Sequence, residues 1–250
     1  MNIEINKPLL GDCLELMPKI KDKSIDMILC DLPYNLTANH WDILIPFEKL
    51  WLEYNRIIKD NGAIVLTASQ PFTSALIMSN LKMFRYEWVW QKERGSNFQN
   101  ANIMPMKVHE NVCVFYKKKP TYNKQFWYGD PYFRKPGKRK QIKGITSSNC
   151  SIYNPGTTNE DGKRNPITVL KFARENSKNN INSTQKPVAL FEYLIKTYTN
   201  EGETVLDNCA GSFTTAIACL NTGRNYICIE KDEEQFKLGS DRIIKYISSL

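Results

Sequence analysis

The chain has 250 residues, 42% of them hydrophobic and 24% charged, with a formal net charge of +8. Such a length suits one large domain or a domain with a sizeable insertion, and the apolar content supports a packed core rather than wholesale disorder. No stretch approaches the ~20 apolar residues of a membrane helix and no basic-then-apolar leader opens the chain, while seven cysteines without a CxxC pair, beside only His40 and His109, read as free thiols in a cytoplasmic protein with no metal site.

In chain order, residues 3–10 read as a short strand ended by Gly11-Asp12, and Cys13 to Ile20 as a short helix disturbed by Pro18. Residues 24–30 read as a buried strand that runs into Asp31-Leu32-Pro33-Tyr34. A carboxylate and the Leu32 carbonyl can accept two hydrogen bonds from one planar NH₂, and Tyr34 can cover the ring that carries it. The same four residues also suit a plain strand-ending turn in which Asp31 caps a helix. Phe47, Leu50, Trp51, Tyr54, Ile57 and Ile58 recur at helical spacing, so 46–59 is an amphipathic helix, stopped at Asp60-Asn61-Gly62 before a strand at 63–66. A helix through Ser79 and strands at 86–90 and 111–116 follow. The connection between those two strands, 91–110, is long and polar; its Lys92, Arg94 and Phe98 could approach a nucleic acid or sit in an idle surface loop.

From Lys117 the composition changes. Residues 117–186 hold 16 Lys and Arg against 4 Asp and Glu, a balance of +12, whereas the rest of the chain carries 18 against 22, or −4. One basic segment on a near-neutral body is the footprint of a polyanion binder. Arg134, Lys135, Lys138, Arg139 and Lys140 are its densest cluster, interleaved with Tyr132 and Phe133; cations serve phosphates and planar side chains serve bases. Weak periodicity makes this an irregular subdomain or insertion.

Pattern returns with a helix from Pro187 to Tyr198, a strand 204–206 ending in Asp207, a turn through Cys209, Gly211 and Ser212 that opens a helix, a strand 225–229 ending in Glu230, and a last amphipathic helix. Gly211 permits close backbone approach at a helix start, and Glu230, about twenty residues on, is placed to accept from a ribose. A single glycine is a weak dinucleotide fingerprint and fits S-adenosylmethionine better than a nicotinamide dinucleotide.

Together these residues resemble the amino-group DNA methyltransferases. Asp31-Leu32-Pro33-Tyr34 is similar to their [Asp/Asn/Ser]-Pro-Pro-Tyr catalytic motif, Asp207-Asn208-Cys209-Ala210-Gly211-Ser212 to their cofactor motif, and Ser183-Thr184-Gln185-Lys186-Pro187 to their Thr-Gln-Lys-Pro segment. Gly11-Asp12-Cys13, Trp88 to Lys92, and His109-Glu110 before a strand are similar as well. The motif order is that of the permuted β group. The resemblance implies a Rossmann-like α/β methyltransferase fold, a mostly parallel sheet with helices on both faces. It divides the chain into a catalytic part at 1–116, a target recognition insertion at 117–182 and a cofactor-binding part at 183–250.

The resemblance also implies S-adenosylmethionine as methyl donor, with no metal. Duplex DNA is the implied substrate and a flipped-out adenine the target, through its N6. It assigns Asp12 and Cys13 to the cofactor's adenine, Glu230 to its ribose, and Thr184, Lys186 and Asp207 to its methionine end, with Ser183, Cys209, Gly211 and Ser212 beside them. A restriction–modification setting with a cognate endonuclease, and a homodimer, fit the same resemblance. The alternatives are cytosine-N4 methylation by the same geometry and a catalytically silent DNA-binding protein of this fold. Phe213, where the family's second glycine usually falls, bears on the last: pointing inward it would crowd a ligand, and pointing into the core it would not.

Overall fold

The computed structural model describes residues 3–35, 42–138, 153–154, 156–175 and 184–249. They group into two compact units, Met1–Asn123 with Thr168–Leu250, and Lys124–Ile167. The strands are β1 (Lys7–Leu10), β2 (Ile25–Asp31), β3 (Ile58–Ala68), β4 (Phe84–Ser96) and β5 (Lys107–Phe115), then six short ones, β6 (Trp127–Tyr128), β7 (Tyr132–Arg134), β8 (Gly137–Lys138), β9 (Tyr153–Asn154), β10 (Thr157–Asn159) and β11 (Lys163–Arg164). β12 (Val169–Lys171), β13 (Thr204–Asp207) and β14 (Asn225–Glu230) complete the set. The helices are α1 (Cys13–Leu16), α2 (Phe47–Ile57), α3 (Phe72–Ser79), α4 (Val188–Tyr198), α5 (Thr214–Thr222) and α6 (Glu233–Ile247).

The first unit is built on one eight-stranded sheet in the order β1-β14-β13-β2-β3-β5-β4-β12. Every pairing in it is parallel except those of β5 with β3 and β4. Alternation along the strands feeds two cores. Met27, Leu29, Val65, Val205 and Cys228 pack with residues of α4, α5 and α6, and Ile28, Cys30, Ile64, Leu66 and Ile229 pack with residues of α1, α2 and α3. Strands that bury both faces read as near-continuous apolar runs, which is why 25–30 and 63–66 are so plain in the sequence. The unit β13–α5–β14 comes last in the chain but lies in the sheet beside β2. This is the Rossmann-like, permuted methyltransferase architecture expected from the motif order. Its consequence is that β2, β3, β13 and β14 end at one edge of the sheet, where such folds open a ligand crevice.

Two elements differ from the sequence expectation. The turn expected at Asp60-Asn61-Gly62 lies within β3, as an irregularity where the partner register passes from Ile25↔Ile58 to Met27↔Ala63. The long connection expected at 91–110 is shorter, because the β4–β5 ladder runs on to Ser96↔Lys107. Polar side chains hid that extension; backbone pairing does not require apolar ones. β12, within the expected 117–182 insertion, pairs with β4 at the sheet edge.

Among the described residues, the second unit holds three antiparallel two-stranded ladders, β10 with β7, β11 with β6, and β8 with β9. Its aromatics carry cations on their faces: the Arg164 guanidinium lies 4.9 Å from the Tyr132 ring centroid and 5.3 Å from that of Trp127, and Lys163 Nζ lies 4.1 Å from that of Phe126. Charge and aromatic surface are thus built as stacked pairs.

Candidate active site

Asp31 is the last residue of β2, and parallel pairing sets Thr67 of β3 beside it. The Thr67 hydroxyl donates to Asp31 Oδ1. The Tyr34 hydroxyl donates to the same oxygen at 2.6 Å and lies 2.9 Å from Thr67 Oγ1. Oδ2 accepts from Lys186 Nζ at 2.6 Å. The carboxylate is therefore held on both oxygens, by hydroxyls on one and an ammonium on the other. The Tyr34 ring packs on Phe72, with centroids 4.9 Å apart and planes at 27°, and Lys186 Nζ lies 5.7 Å from the Tyr34 centroid. Leu32 is buried in the core.

Lys186 also lies 3.3 Å from Glu110 Oε2, and Glu110 is ion-paired with Lys92. A chain of alternating charge, Asp31–Lys186–Glu110–Lys92, crosses the wall of the cleft. Burial pushes the Glu110 carboxyl up, but the Lys186 and Lys92 ammonium groups outweigh it and hold the carboxyl below its ordinary range. Burial works against the charge on Lys186, and Asp31 and Glu110 more than restore it. Burial dominates at Lys92 and lowers its pKa despite Glu110. Burial first, and then the Asp31 charge, raise the Tyr34 phenol, keeping it a donor.

Lys92, expected among DNA-facing cations, is only 8% exposed and committed to this chain. Its position follows from the period of two along β4, on which Trp88, Trp90 and Lys92 are all buried. Glu110 stands opposite Trp90 in the ladder. The sequence offered Glu110 only as a motif neighbour, and Thr67, just beyond the strand expected at 63–66, not at all; β3 runs on to Ala68 and sets Thr67 beside Asp31, while Glu110 of β5 meets Lys186. Arg94, Arg134 and Lys135 are exposed. Lys138 lies in β8, and Arg139, Lys140 and Ser183 lie outside the described residues.

The same cleft, about 1080 Å³ in volume, is lined further along by Asp12, Cys13, Thr184, Asp207, Cys209, Gly211, Ser212 and Glu230. Asp12 caps α1, accepting from Leu14 N at 2.9 Å, and pairs with Lys231 at 2.9 Å. Gly211 takes a left-handed φ of 48° and its N–H donates to Glu230 Oε2 at 2.7 Å, while Asp232 N donates to Oε1 at 2.8 Å. Each carboxylate oxygen has a second acceptor site for a ribose hydroxyl. Arg242 of α6 ties the turn down through Ser212 O at 2.8 Å. An acidic side chain at the end of β14, a glycine backbone beside it and room for a purine and an amino-acid tail fit S-adenosylmethionine.

Phe213 packs into the core and does not line the cleft. It adopts φ 55°, ψ 34° before α5, is wholly buried, and packs edge-on against Phe236 at 5.9 Å. Space for its ring comes from Gly239 of α6, where a Cβ would overlap the ring and lie 3.0 Å from Gly211 O. A left-handed non-glycine residue costs ~1–2 kcal/mol, less than the ~3–5 kcal/mol lost on truncating a buried phenylalanine. Phe213→Gly is therefore expected to destabilise the fold in urea melts. Gly239→Ala is also expected to destabilise the wild type, but much less in the Phe213→Gly background, where the ring is gone.

Asp207 ends β13, is buried, and accepts from Thr215 Oγ1 and from Cys209 N at 3.1 Å. Burial pushes its carboxyl up to about 7 against those hydrogen bonds. Its folded pKa exceeds the unfolded 3.8, so its contribution to stability is full below about pH 4 and falls as pH rises through about 7. Asp207→Asn is expected to flatten that dependence, making the variant relatively more stable at pH 8 than at pH 5 by on the order of a few kcal/mol in denaturant melts.

A family model of DNA methylases matches residues 25–241 of the chain. The DNA adenine methyltransferase YhdJ of Escherichia coli K12 is 28% identical over 93% of this chain and 81% of its own length. The type II methyltransferase M.HpaI of Haemophilus parainfluenzae is 25% identical over 94% and 73% respectively. Among solved structures, the M1.HpyAVI–SAM complex superposes with a TM-score of 0.62 at 24% identity, covering 94% of this chain and 98% of that one. The cytosine-N4-specific PvuII DNA methyltransferase superposes at 0.65 with 16% identity, covering 99% and 93%.

Proposed function

The chain belongs to the N6/N4 DNA methylase family, and on that premise we propose that it methylates the N6 amino group of a flipped-out adenine at a specific site in duplex DNA, with S-adenosylmethionine as donor. One observation carries the reading: Asp31 with its partners Tyr34 and Lys186, and the Asp207–Ser212 turn with Glu230, line a single cleft. The adenine target draws further support from the likeness to a DNA adenine methyltransferase.

The donor supplies an electrophilic methyl group. The protein's part is to make an unreactive amino nitrogen accept it. That nitrogen's lone pair is delocalised into the ring, and hydrogen bonds from its two protons to Asp31 and the Leu32 carbonyl favour a pyramidal nitrogen with the lone pair aimed at the methyl. Asp31 need not take a proton beforehand, since proton loss can follow transfer. The base must leave the stack to reach this edge. The Tyr34 face away from Phe72 is the surface for it, and its amino group takes the place of Lys186 on Asp31 Oδ2, with Glu110 retaining the ammonium. Glu230 and Asp12 hold the adenosine end of the donor, and Thr184 and Asp207 its amino-acid end. The exposed cations Arg134 and Lys135 of the second unit serve DNA phosphates.

Calorimetric titration with S-adenosylmethionine followed by transfer of its labelled methyl group to duplex DNA tests the reading. Binding and transfer are expected; no binding at millimolar donor would leave a silent DNA-binding protein of this fold.

A further inference from the structure

β4 runs parallel to the strands that carry the site and β5 returns antiparallel, so residues 97–106 emerge at the same sheet edge as Asp31. The two stems of this connection, Ser96 and Lys107, face each other in the ladder and line the cleft. Between them the backbone folds on itself. Asn97 is left-handed at φ 69°, Ala101 N donates to Phe98 O at 3.0 Å and Met104 N to Asn100 O at 3.0 Å. Asn100 Nδ2 donates to Asn97 Oδ1 at 2.8 Å. The result is a knob of defined shape at the rim of the cleft.

Its apolar side chains face outward, against the hydrophobic effect. Phe98 is 78% and Ile103 77% exposed, the highest values for large hydrophobics among the described residues, and Met104 and Met106 are exposed beside them in sequence. Residues 97–106 carry no charge; Arg94 and Lys107 flank them, with Glu93 beside Arg94 and Glu110 of β5 committed to Lys92 and Lys186. An uncharged apolar tip on predominantly basic stems fits a polyanion with an apolar interior, which is a DNA duplex entered at a base step. The location gives the step. A base taken out of the stack toward Asp31 leaves a gap beside the cleft, and an aromatic side chain that fills the gap offsets the cost of unstacking.

We infer that the 97–106 knob is a wedge, with Phe98 as its tip, that enters the duplex at the position vacated by the target base. The inference rests on the methyltransferase reading above and names the surface that makes the base available to it. Phe98 touches the DNA stack rather than the reacting atoms, so its loss should affect extrusion and leave transfer itself intact.

The test compares wild type, Phe98→Ala and Ile103→Ala on two duplexes carrying the recognition sequence read from DNA methylated by the wild type. In one the target base has its normal partner; in the other it faces an abasic site, where extrusion costs less. For Phe98→Ala, kcat/KM is expected to fall roughly 10- to 100-fold on the paired duplex and to stay within about threefold of wild type on the abasic one. Ile103→Ala should show the same split with a smaller loss. Equal losses on both duplexes, or no loss on either, would overturn the inference. So would conversion of a wild-type dimer to a monomer by Phe98→Ala in light scattering, which would assign the knob to contact with a second copy of the chain. A wild type inactive on both duplexes would overturn the methyltransferase reading itself, so the two failures are told apart.

Discussion

Asp31→Ala is expected to reduce methyl transfer by at least ~10³-fold, the scale seen when a group aimed at developing charge is removed, while duplex binding in a filter or anisotropy assay stays within about threefold, since phosphate contacts dominate affinity. The asymmetry follows from where the carboxylate sits. It is held by Thr67, Tyr34 and Lys186 at the end of a strand. Asp31→Asn separates chemistry from shape. Its amide keeps one oxygen acceptor for the target amino group but presents an NH₂ that opposes the Lys186 ammonium or the two hydroxyls. Residual activity well above that of the alanine variant is expected. An alanine variant with full activity would remove Asp31 from the mechanism.

The second large effect is expected at Lys186, at 7% exposure and between two carboxylates. Removing one member of a buried ion pair typically costs ~3–5 kcal/mol because the other charge is left unpaired. Lys186→Met should approach that range from below, since Glu110 keeps Lys92 and Asp31 keeps its hydroxyl donors. The double variant Lys186→Met/Asp31→Asn should recover part of the loss, because the carboxylate left without its ammonium is neutralised as well. The acid side of the stability curve should change too. The depressed Glu110 carboxyl contributes stability that is present above its unfolded pKa and lost as pH falls through its lower folded value. Lys186→Met should therefore show a weaker loss of stability on acidification.

Much of this was legible in the sequence because parallel α/β folds place ligand-binding residues where buried strands stop. The apolar runs at 25–30 and 204–206 each end in an acid, and Asp31 and Asp207 do lie at one edge of one sheet. The alternation that buries Trp88 and Trp90 continues to Lys92 and was available to reading; charge alone suggested the surface. What could not be read was anything set by pairing between distant strands. Thr67 meets Asp31 through the β2–β3 register, and Glu110 reaches Lys186 from β5, the strand antiparallel to both of its neighbours. The fit of Phe213 to Gly239 is of the same kind: neither residue explains itself, and each makes sense only against the other across α5 and α6.

We propose that Asp31 directs methyl transfer to the N6 of adenine. Nucleoside mass spectrometry, with sequencing of modified bases, of DNA from a methylation-deficient host expressing wild type or Asp31→Ala tests it most directly. The expected result is N6-methyladenine confined to one short sequence in wild-type DNA and absent with the variant. N4-methylcytosine in place of N6-methyladenine, or methylation that persists in Asp31→Ala, would contradict it.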